Sequence, residues 1–317
     1  MIILSACNIG LPHPPTPGPF PVEGIRQITT DYAFYQDISW SPNGSFITAT
    51  RCPVMQYQPS CFQHEETILI DPKTGAITNI DFQSISPNHT VGYPSAWSPD
   101  GTQLILTVGE RNPAGDAGAD EPLFNYTYFS YGIHEDTFTE MDIVWMIIAF
   151  SQDGSSFLIT QSIDEESLAL GWYDPETREF IDELHYPLAD SFLGAFAISP
   201  DNRILLQSDS TLTSSCNEIQ AYIMGSHKPF EPFLSLACYP AWSPNGSKLA
   251  YTAKASSKDL PNRLIIADAD GANPVSVFIE PTPHELAYPT WSPDGHQIAF
   301  TFGGLSGANA IYIVDVP

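Results

Sequence analysis

The residues that could do chemistry in this chain include five cysteines, eight histidines and many acids. Their spacing fits no common catalytic motif. No two histidines stand two, three or four residues apart, so the short H-x-H, H-x-x-H and H-x-x-x-H metal pairs are absent. The string closest to a G-x-S-x-G nucleophile elbow is Gly303–Gly307 (GGLSG), whose serine is one position too late. We therefore predict no catalytic residue, no metal ligand and no cofactor, and we do not expect an enzyme.

The charge balance excludes one class of partner. The chain carries 37 acidic and 11 basic side chains, a net charge of -26. Nucleic-acid binding needs Lys and Arg to replace the counterions of the phosphates, so it is not expected. The acids are spread along the chain, which indicates either a solubilising surface or attraction of divalent cations or cationic partners.

One short phrase recurs six times and organises the elements that must position these residues. It is Trp-Ser-Pro-Asp/Asn-Gly or a close variant, and copies begin 44 to 57 residues apart. Proline presets φ, Asp or Asn tolerates the next position, and glycine adopts the left-handed conformation of a tight turn. The first residues of the six copies are Trp40, Trp97, Phe150, Ile198, Trp242 and Trp291. Each phrase therefore predicts a hairpin turn.

A β-rich segment follows every turn, as in Gln103–Val108 (QLILTV) and Gln297–Phe302 (QIAFTF). In most units a third strand ends in an acidic turn, as in Ile311–Asp315 (IYIVD). With an outer fourth strand, each unit becomes a four-stranded antiparallel sheet. Six such units arranged radially predict an all-β, six-bladed β-propeller.

These motifs resemble the repeat of TolB-like (WD-repeat-like) propellers. That repeat occurs in the periplasmic propeller of the Tol system and in the propeller domains of prolyl-oligopeptidase-type enzymes. The resemblance covers roughly residues 25 to 317 and implies the fold far more specifically than an activity. We expect neither the α/β catalytic domain of the peptidases nor the N-terminal α/β domain of the Tol protein within these 317 residues, so the resemblance does not imply a role in the Tol assembly.

The chain ends directly after the third strand of its last unit, while Ile25–Thr29 precedes the first unit as an unassigned strand. We predict that this segment supplies the missing outer strand and closes the ring, which leaves no open sheet edge at the seam. The expected domains are therefore 25–317 as the propeller and 1–24 as a truncated signal and tether.

Residues 1–24 support that division. Leu4–Cys7 (LSAC) matches a bacterial lipoprotein cleavage box, in which Cys7 carries the lipid. A proline-rich stretch that cannot build a core follows it. Only three residues precede the box, without a basic or fully apolar leader, so a plain N-terminal cysteine is the alternative.

The propeller also sorts the other four cysteines. Cys52 ends the second strand of blade 1 and Cys61 precedes the third, while Cys216 precedes the third strand of blade 4 and Cys238 ends the fourth. Ends of adjacent strands lie within disulfide reach. We predict the bridges Cys52–Cys61 and Cys216–Cys238, in an oxidising compartment, with four unrelated buried thiols as the alternative.

The long segments between second and third strands lie on the face opposite the turns, which we call the loop face. Binding residues concentrate in such loops on a rigid frame. Arg51, Arg111 and Lys254 each fall near the end of a second strand, so they could converge on an anionic group, with Tyr57 beside them. Scattered surface cations are the alternative.

We expect a monomeric, non-enzymatic, extracytoplasmic binding or scaffold propeller, periplasmic or at the cell surface and held to a membrane only by an N-terminal lipid. Its loop face would bind a protein, peptide or glycan. The alternative function is a lactonase-like, metal-dependent hydrolase with a site in the central channel.

Overall fold

The computed structural model contains six four-stranded antiparallel sheets, and it confirms the predicted six-bladed propeller. It describes residues 24–53, 65–86, 89–112, 124–164, 167–187, 191–210, 215–223, 231–254, 261–280, 285–303 and 308–317. Most of the predicted tether, including Cys7, lies outside these residues. No helix in the described ranges has the length and apolar character to cross a membrane.

The 24 strands are numbered along the chain, and each blade takes four of them. Blades 1 to 3 consist of β2 (Ala33–Trp40), β3 (Ile47–Pro53), β4 (Glu66–Ile70), β5 (Ile77–Asn79); β6 (His89–Trp97), β7 (Gln103–Arg111), β8 (Phe124–Gly132), β9 (Thr137–Met141); and β10 (Met146–Phe150), β11 (Phe157–Asp164), β12 (Ser167–Asp174), β13 (Glu179–Pro187).

Blades 4 to 6 follow the same order. They consist of β14 (Ser191–Ile198), β15 (Arg203–Ser210), β16 (Ser215–Ile223), β17 (Glu231–Ser235); β18 (Ala237–Trp242), β19 (Lys248–Ala253), β20 (Arg263–Asp268), β21 (Val275–Ile279); and β22 (Glu285–Trp291), β23 (Gln297–Gly303), β24 (Ala310–Asp315) with β1 (Ile25–Gln27) as the outer strand.

The ring closes as predicted, because β1 pairs antiparallel with β24 in blade 6. Ile25 lies opposite Val314, and Gln27 lies opposite Tyr312. Beyond the strand, the Ile28 amide donates to the Ile311 carbonyl at 2.9 Å. Both ends of the described chain thus belong to one sheet.

A serine fixes each turn phrase. Its hydroxyl accepts a 2.9 Å hydrogen bond from the amide of the first residue of the second strand or of the residue just before it. The same hydroxyl donates to the Asp or Asn side chain of the turn. The six serines are Ser41, Ser98, Ser151, Ser199, Ser243 and Ser292. In five turns glycine then takes a left-handed φ of 67° to 78°, and in blade 4 Asn202 does so at 60°. The residue types of the phrase therefore dictate its geometry.

The hydrophobic core lies between the blades rather than at one centre. Six clusters of buried residues each join two adjacent blades, and together they run around the ring. The cluster between blades 5 and 6, for example, contains Phe278 from β21 and Phe300 from β23, whose ring centroids are 5.0 Å apart. This packing makes the propeller a rigid frame for the side chains that face its centre.

Candidate functional site

Arg51, one of the predicted anion-binding residues, already binds two carboxylates. It lies in β3 at the loop-face end, where its Nη2 is 2.7 Å from Asp31 Oδ2 and its Nη1 bonds Glu66. Asp31 also accepts a hydrogen bond from the Tyr35 hydroxyl. The Arg51 guanidinium is therefore part of an internal ion-pair network at the propeller rim.

The structure describes two of the other three predicted ligand residues. Arg111 is the last residue of β7 and is exposed, while Lys254 directly follows β19 and is half-buried. These positions agree with the expected ends of second strands. Tyr57 lies outside the described residues. Joint binding of an anion by these residues stays a prediction.

Cys52 in β3 and Cys238 in β18 are both buried and disulfide-bonded. The side chains of Cys61 and Cys216 lie outside those described, so the predicted pairing stays a prediction. One assumption behind it is wrong, because Cys238 belongs to the first strand of blade 5 and not to the fourth strand of blade 4. The chain leaves β17 at Ser235 and turns at Leu236, whose φ is +54°, before β18 begins.

The first strands of the blades form the wall of the central channel, and neighbouring first strands contact each other, as β18 does with β14 and β22. A bulge interrupts each of them a few residues before the turn. In blades 1, 5 and 6 the bulge contains a residue with φ of 52° or 53°: Asp37, Tyr239 and Tyr288. Left-handed backbone is uncommon for Asp and unfavourable for Tyr, so packing must hold these residues in place.

Asp37, Glu65 and Thr50 form what we call the wall cluster, at the side of the channel formed by blade 1. The charges of the Asp37 and Glu65 carboxylates interact. The Thr50 side chain is 1% exposed, and its Oγ1 is buried without a hydrogen-bond partner. That hydroxyl lies near enough to Asp37 to favour its charged form, although the geometry falls short of a full hydrogen bond. The wall cluster thus holds two acids and one unsatisfied hydroxyl.

The surroundings make the charged forms of both acids unfavourable. Asp37 is open to the channel solvent but enclosed by the channel walls, and this burial raises its pKa to about 6. Burial also raises the pKa of Glu65, and the Asp37 charge adds to the effect. A cation placed between the two carboxylates would remove both penalties.

Aromatic side chains border the wall cluster. Burial and the neighbouring tyrosines raise the pKa of Tyr93 in β6, and the Asp37 charge adds to the effect. The Tyr93 ring lies 6.4 Å from that of Tyr126 in an edge contact. Tyr126 is 48% exposed. On the blade 5 and 6 side, the rings of Tyr239 and Tyr288 lie 4.6 Å apart. The channel wall therefore combines carboxylates with ring faces and hydroxyls.

The wall cluster does not supply a full metal site. Among the described residues, no three His, Cys, Asp or Glu side chains are placed to hold a metal ion. The lactonase-like alternative thus lacks a three-ligand group in this part of the chain.

Sequence analysis missed this site, although it contained a signal. A Tyr-Pro pair precedes the blade tryptophan in three units, at Tyr93-Pro94, Tyr239-Pro240 and Tyr288-Pro289. Proline has no amide to donate, so it suits a bulge where the ladder is interrupted. The recurring pair marks the bulge of the first strand in these three blades.

Comparisons with known proteins support the fold. A putative TolB from Agrobacterium tumefaciens has a TM-score of 0.56 at 16% identity, and the match covers 92% of this chain and 94% of that one. TolB from Acinetobacter baumannii has a TM-score of 0.53 at 14% identity, covering 92% of this chain and 64% of that chain. The likeness shows a TolB-like six-bladed propeller fold.

The same fold also occurs in an enzyme. An oligogalacturonate lyase in complex with manganese has a TM-score of 0.50 at 13% identity, over 92% of this chain and 93% of that one. Searches against protein-family models and against curated protein sequences find no match. Function must therefore be argued from the side chains of this chain.

Proposed function

We propose that this protein is a non-enzymatic binding propeller, located outside the cytoplasm, whose channel wall takes a cationic segment of a protein or peptide partner. The observation that carries the proposal is the wall cluster, in which Asp37, Glu65 and the unpartnered Thr50 hydroxyl lie together beside Tyr93. A lysine or arginine side chain would satisfy both carboxylates and the hydroxyl at once.

The neighbouring rings favour the same ligand. Cations are attracted to the faces of tyrosine rings, and the channel-wall strand β6 carries Tyr93, whose ring contacts that of Tyr126 in β8. A neutral glycan could stack on these rings, but it would leave the two acids without a counter-charge. The net charge of -26 would also draw a basic segment toward the protein over long range.

The cellular location is argued from covalent chemistry. Cys52 and Cys238 are disulfide-bonded, and disulfides persist in oxidising compartments. The TolB-like fold and the lipoprotein-like sequence before Cys7 point the same way. We propose a periplasmic or surface location, with a lipid on Cys7 as the anchor.

Binding of a tetra-lysine peptide, measured by calorimetry at moderate salt, tests the proposed site. Asp37→Asn should weaken binding about tenfold, because it removes one of two carboxylates that face the bound cation. The matched control is Asp153→Asn, which makes the same change of charge in the turn of blade 3.

Asp153→Asn should leave the affinity within about twofold, since an exposed charge far from the site is largely screened. Equal losses in both variants would show that the peptide binds only to the overall negative charge, and the proposed function would then be wrong. A neutral tetra-glutamine peptide should show no binding to the wild type.

A further inference from the structure

The seam between blades 5 and 6 contains a cavity of about 490 Å³ near the turns. Its lining includes Trp291 and Gly295 of blade 6 and Lys248 and Pro244 of blade 5. Val275, on the outer strand β21, lines it too and is 54% exposed, so the cavity has a wall accessible from outside. It is separate from the channel wall.

The neighbouring seam, between blades 4 and 5, shows what such a space can hold. There Arg203, the first residue of β15, lies over the ring of Trp242, with its guanidinium carbon 4.3 Å from the ring centroid. Its Nη2 donates to the Gly246 carbonyl at 2.6 Å, and its Nε donates to Asp201 at 2.9 Å. One arginine thus fills that seam from inside the protein.

Lys248 occupies the position in blade 5 that Arg203 has in blade 4. In both blades the amide of this residue donates to the turn serine, Ser199 or Ser243, at 2.9 Å. Lys248 lines the cavity, but its charged end is already paired, since its Nζ is 2.6 Å from Asp268. Trp291 and Gly295, the equivalents of Trp242 and Gly246, are left lining the cavity.

The ring and the carbonyl that arginine contacts in one seam are therefore available in the other, where Asn245 replaces the acceptor Asp201. No side chain in the described part of the chain donates to the Gly295 carbonyl, whereas Arg203 donates to Gly246 and Asn43 donates to Gly101 at 2.9 Å. Asp294 also lines the cavity, and it is exposed. The Trp291 ring is held as a fixed surface because its indole N–H donates to Ala241 at 3.0 Å.

We propose that this cavity is a receptor for one arginine side chain presented by a protein partner. The guanidinium would contact Trp291 and donate to the Gly295 carbonyl, as Arg203 does with Trp242 and Gly246. Asn245 stands where Asp201 pairs with Arg203, so the carboxylate partner here would be Asp294 of blade 6. A lysine would fit less well, since its compact ammonium lacks the planar fork that serves a ring, a carbonyl and a carboxylate together.

The test is a titration with N-acetyl-arginine amide, followed through the indole N–H resonance of Trp291 in two-dimensional NMR spectra. We expect saturable shifts with a Kd on the order of 1 mM, since a single side chain binds weakly. N-acetyl-lysine amide should bind several-fold more weakly. Asp37→Asn should leave the titration unchanged, which separates this site from the channel.

Two variants close the cavity. Lys248→Arg supplies a guanidinium from within the protein. Val275→Phe narrows the cavity, and because Val275 is exposed, the substitution should change the stability of the fold little. Both should reduce the shift at saturating ligand at least fivefold, while Lys73→Arg, the same exchange in an exposed turn of blade 1, should not. Equal shifts with arginine and lysine, or unchanged titrations in both cavity variants, would overturn the proposal.

Discussion

The turns and the channel wall use the same side chain, aspartate, in opposite ways. In the turns, Asp100 and Asp153 accept hydrogen bonds from a serine hydroxyl and from backbone amides, and these bonds hold the pKa of each carboxyl below its ordinary value. At the channel wall, burial raises the pKa of Asp37. The carboxylates of Asp100 and Asp153 are satisfied by the fold, whereas the wall acid Asp37 needs a partner from outside it.

The comparison separates acids that build the turns from acids that are candidates for binding. The same Ser-x-Asp/Asn bonding recurs in all six turns, so those residues are explained by the hairpin they build. Asp37, Glu65 and Thr50 have no such explanation. Variants that disturb the turns should therefore lower stability, and variants at the wall should not.

The largest effect is expected from Gly101→Ala, in the turn of blade 2. A Cβ there would lie 2.6 Å from Asn43 Nδ2 and 3.0 Å from the Asn43 amide nitrogen, at a φ of +70°. Strain and overpacking together should lower the free energy of unfolding by about 2 to 4 kcal/mol. Urea denaturation measures this change.

Gly295→Ala is the matched control, since it has a similar φ of +74° but only a 3.8 Å contact with Pro244. It should lose about 1 kcal/mol from backbone strain alone. Equal losses in the two variants would mean that packing between turns of adjacent blades contributes nothing, and the turn side of the comparison would fail.

An intermediate effect on the free energy of unfolding should distinguish two buried hydroxyls of blade 1, those of Ser41 and Thr50. Ser41→Ala removes a hydroxyl that bonds Asn43 and the Phe46 amide, so it should cost about 1 to 2 kcal/mol of stability in urea denaturation. Thr50→Val replaces an unpartnered hydroxyl with a methyl group of the same shape. It should be neutral or slightly stabilising, and a loss as large as that of Ser41→Ala would show that Thr50 is structural.

The smallest effect is a pH dependence at Asp37. Its folded-state pKa of about 6 lies above the ordinary value of 3.8, so the folded protein holds more protons between these values. This residue therefore makes the protein less stable as pH rises from about 4 to 6. Asp37→Asn should remove that contribution and raise Tm by about 2 °C at pH 7.5, a modest shift because channel solvent screens the charge.

The contribution of Asp153 to stability changes with pH in the opposite direction. Hydrogen bonds from Ser151 and Ser155 lower its pKa to about 2, so its contribution to stability is present above pH 4 and is lost as pH falls toward 2. Melting curves of Asp153→Asn between pH 2 and 7.5 should approach wild type at the acid end. If Asp153→Asn lost as much Tm as the wild type between pH 4 and pH 2, the assignment of opposite roles would be wrong.

The fold could be predicted from sequence because its turns are built from local chemistry. Proline, Asp or Asn, and glycine define each hairpin within five residues, and six copies define the ring. The register that closes it follows from Ile25–Gln27 pairing with β24. The turns require no knowledge of distant contacts, and the distant pairing of β1 with β24 follows from the missing outer strand of the last unit.

The candidate site could not be predicted in the same way, since it depends on contacts distant in sequence. Arg51 looked like a free cation, but Asp31, 20 residues earlier, pairs with it. Asp37 looked like any other acid among 37 until its bulge placed it on the channel wall. Cys238 was assigned to the wrong blade because the sharp turn at Leu236 has no proline or glycine to mark it.

The position of a bound cationic segment tests the central claim most directly. A tetra-lysine peptide carrying a nitroxide spin label should broaden the backbone amide resonances of Gly92, Tyr93 and Thr50, which surround the wall cluster, and leave those of Gly154 and Ser155 sharp. Broadening that is equal at the turns and at the channel wall, or that survives Asp37→Asn unchanged, would contradict the account.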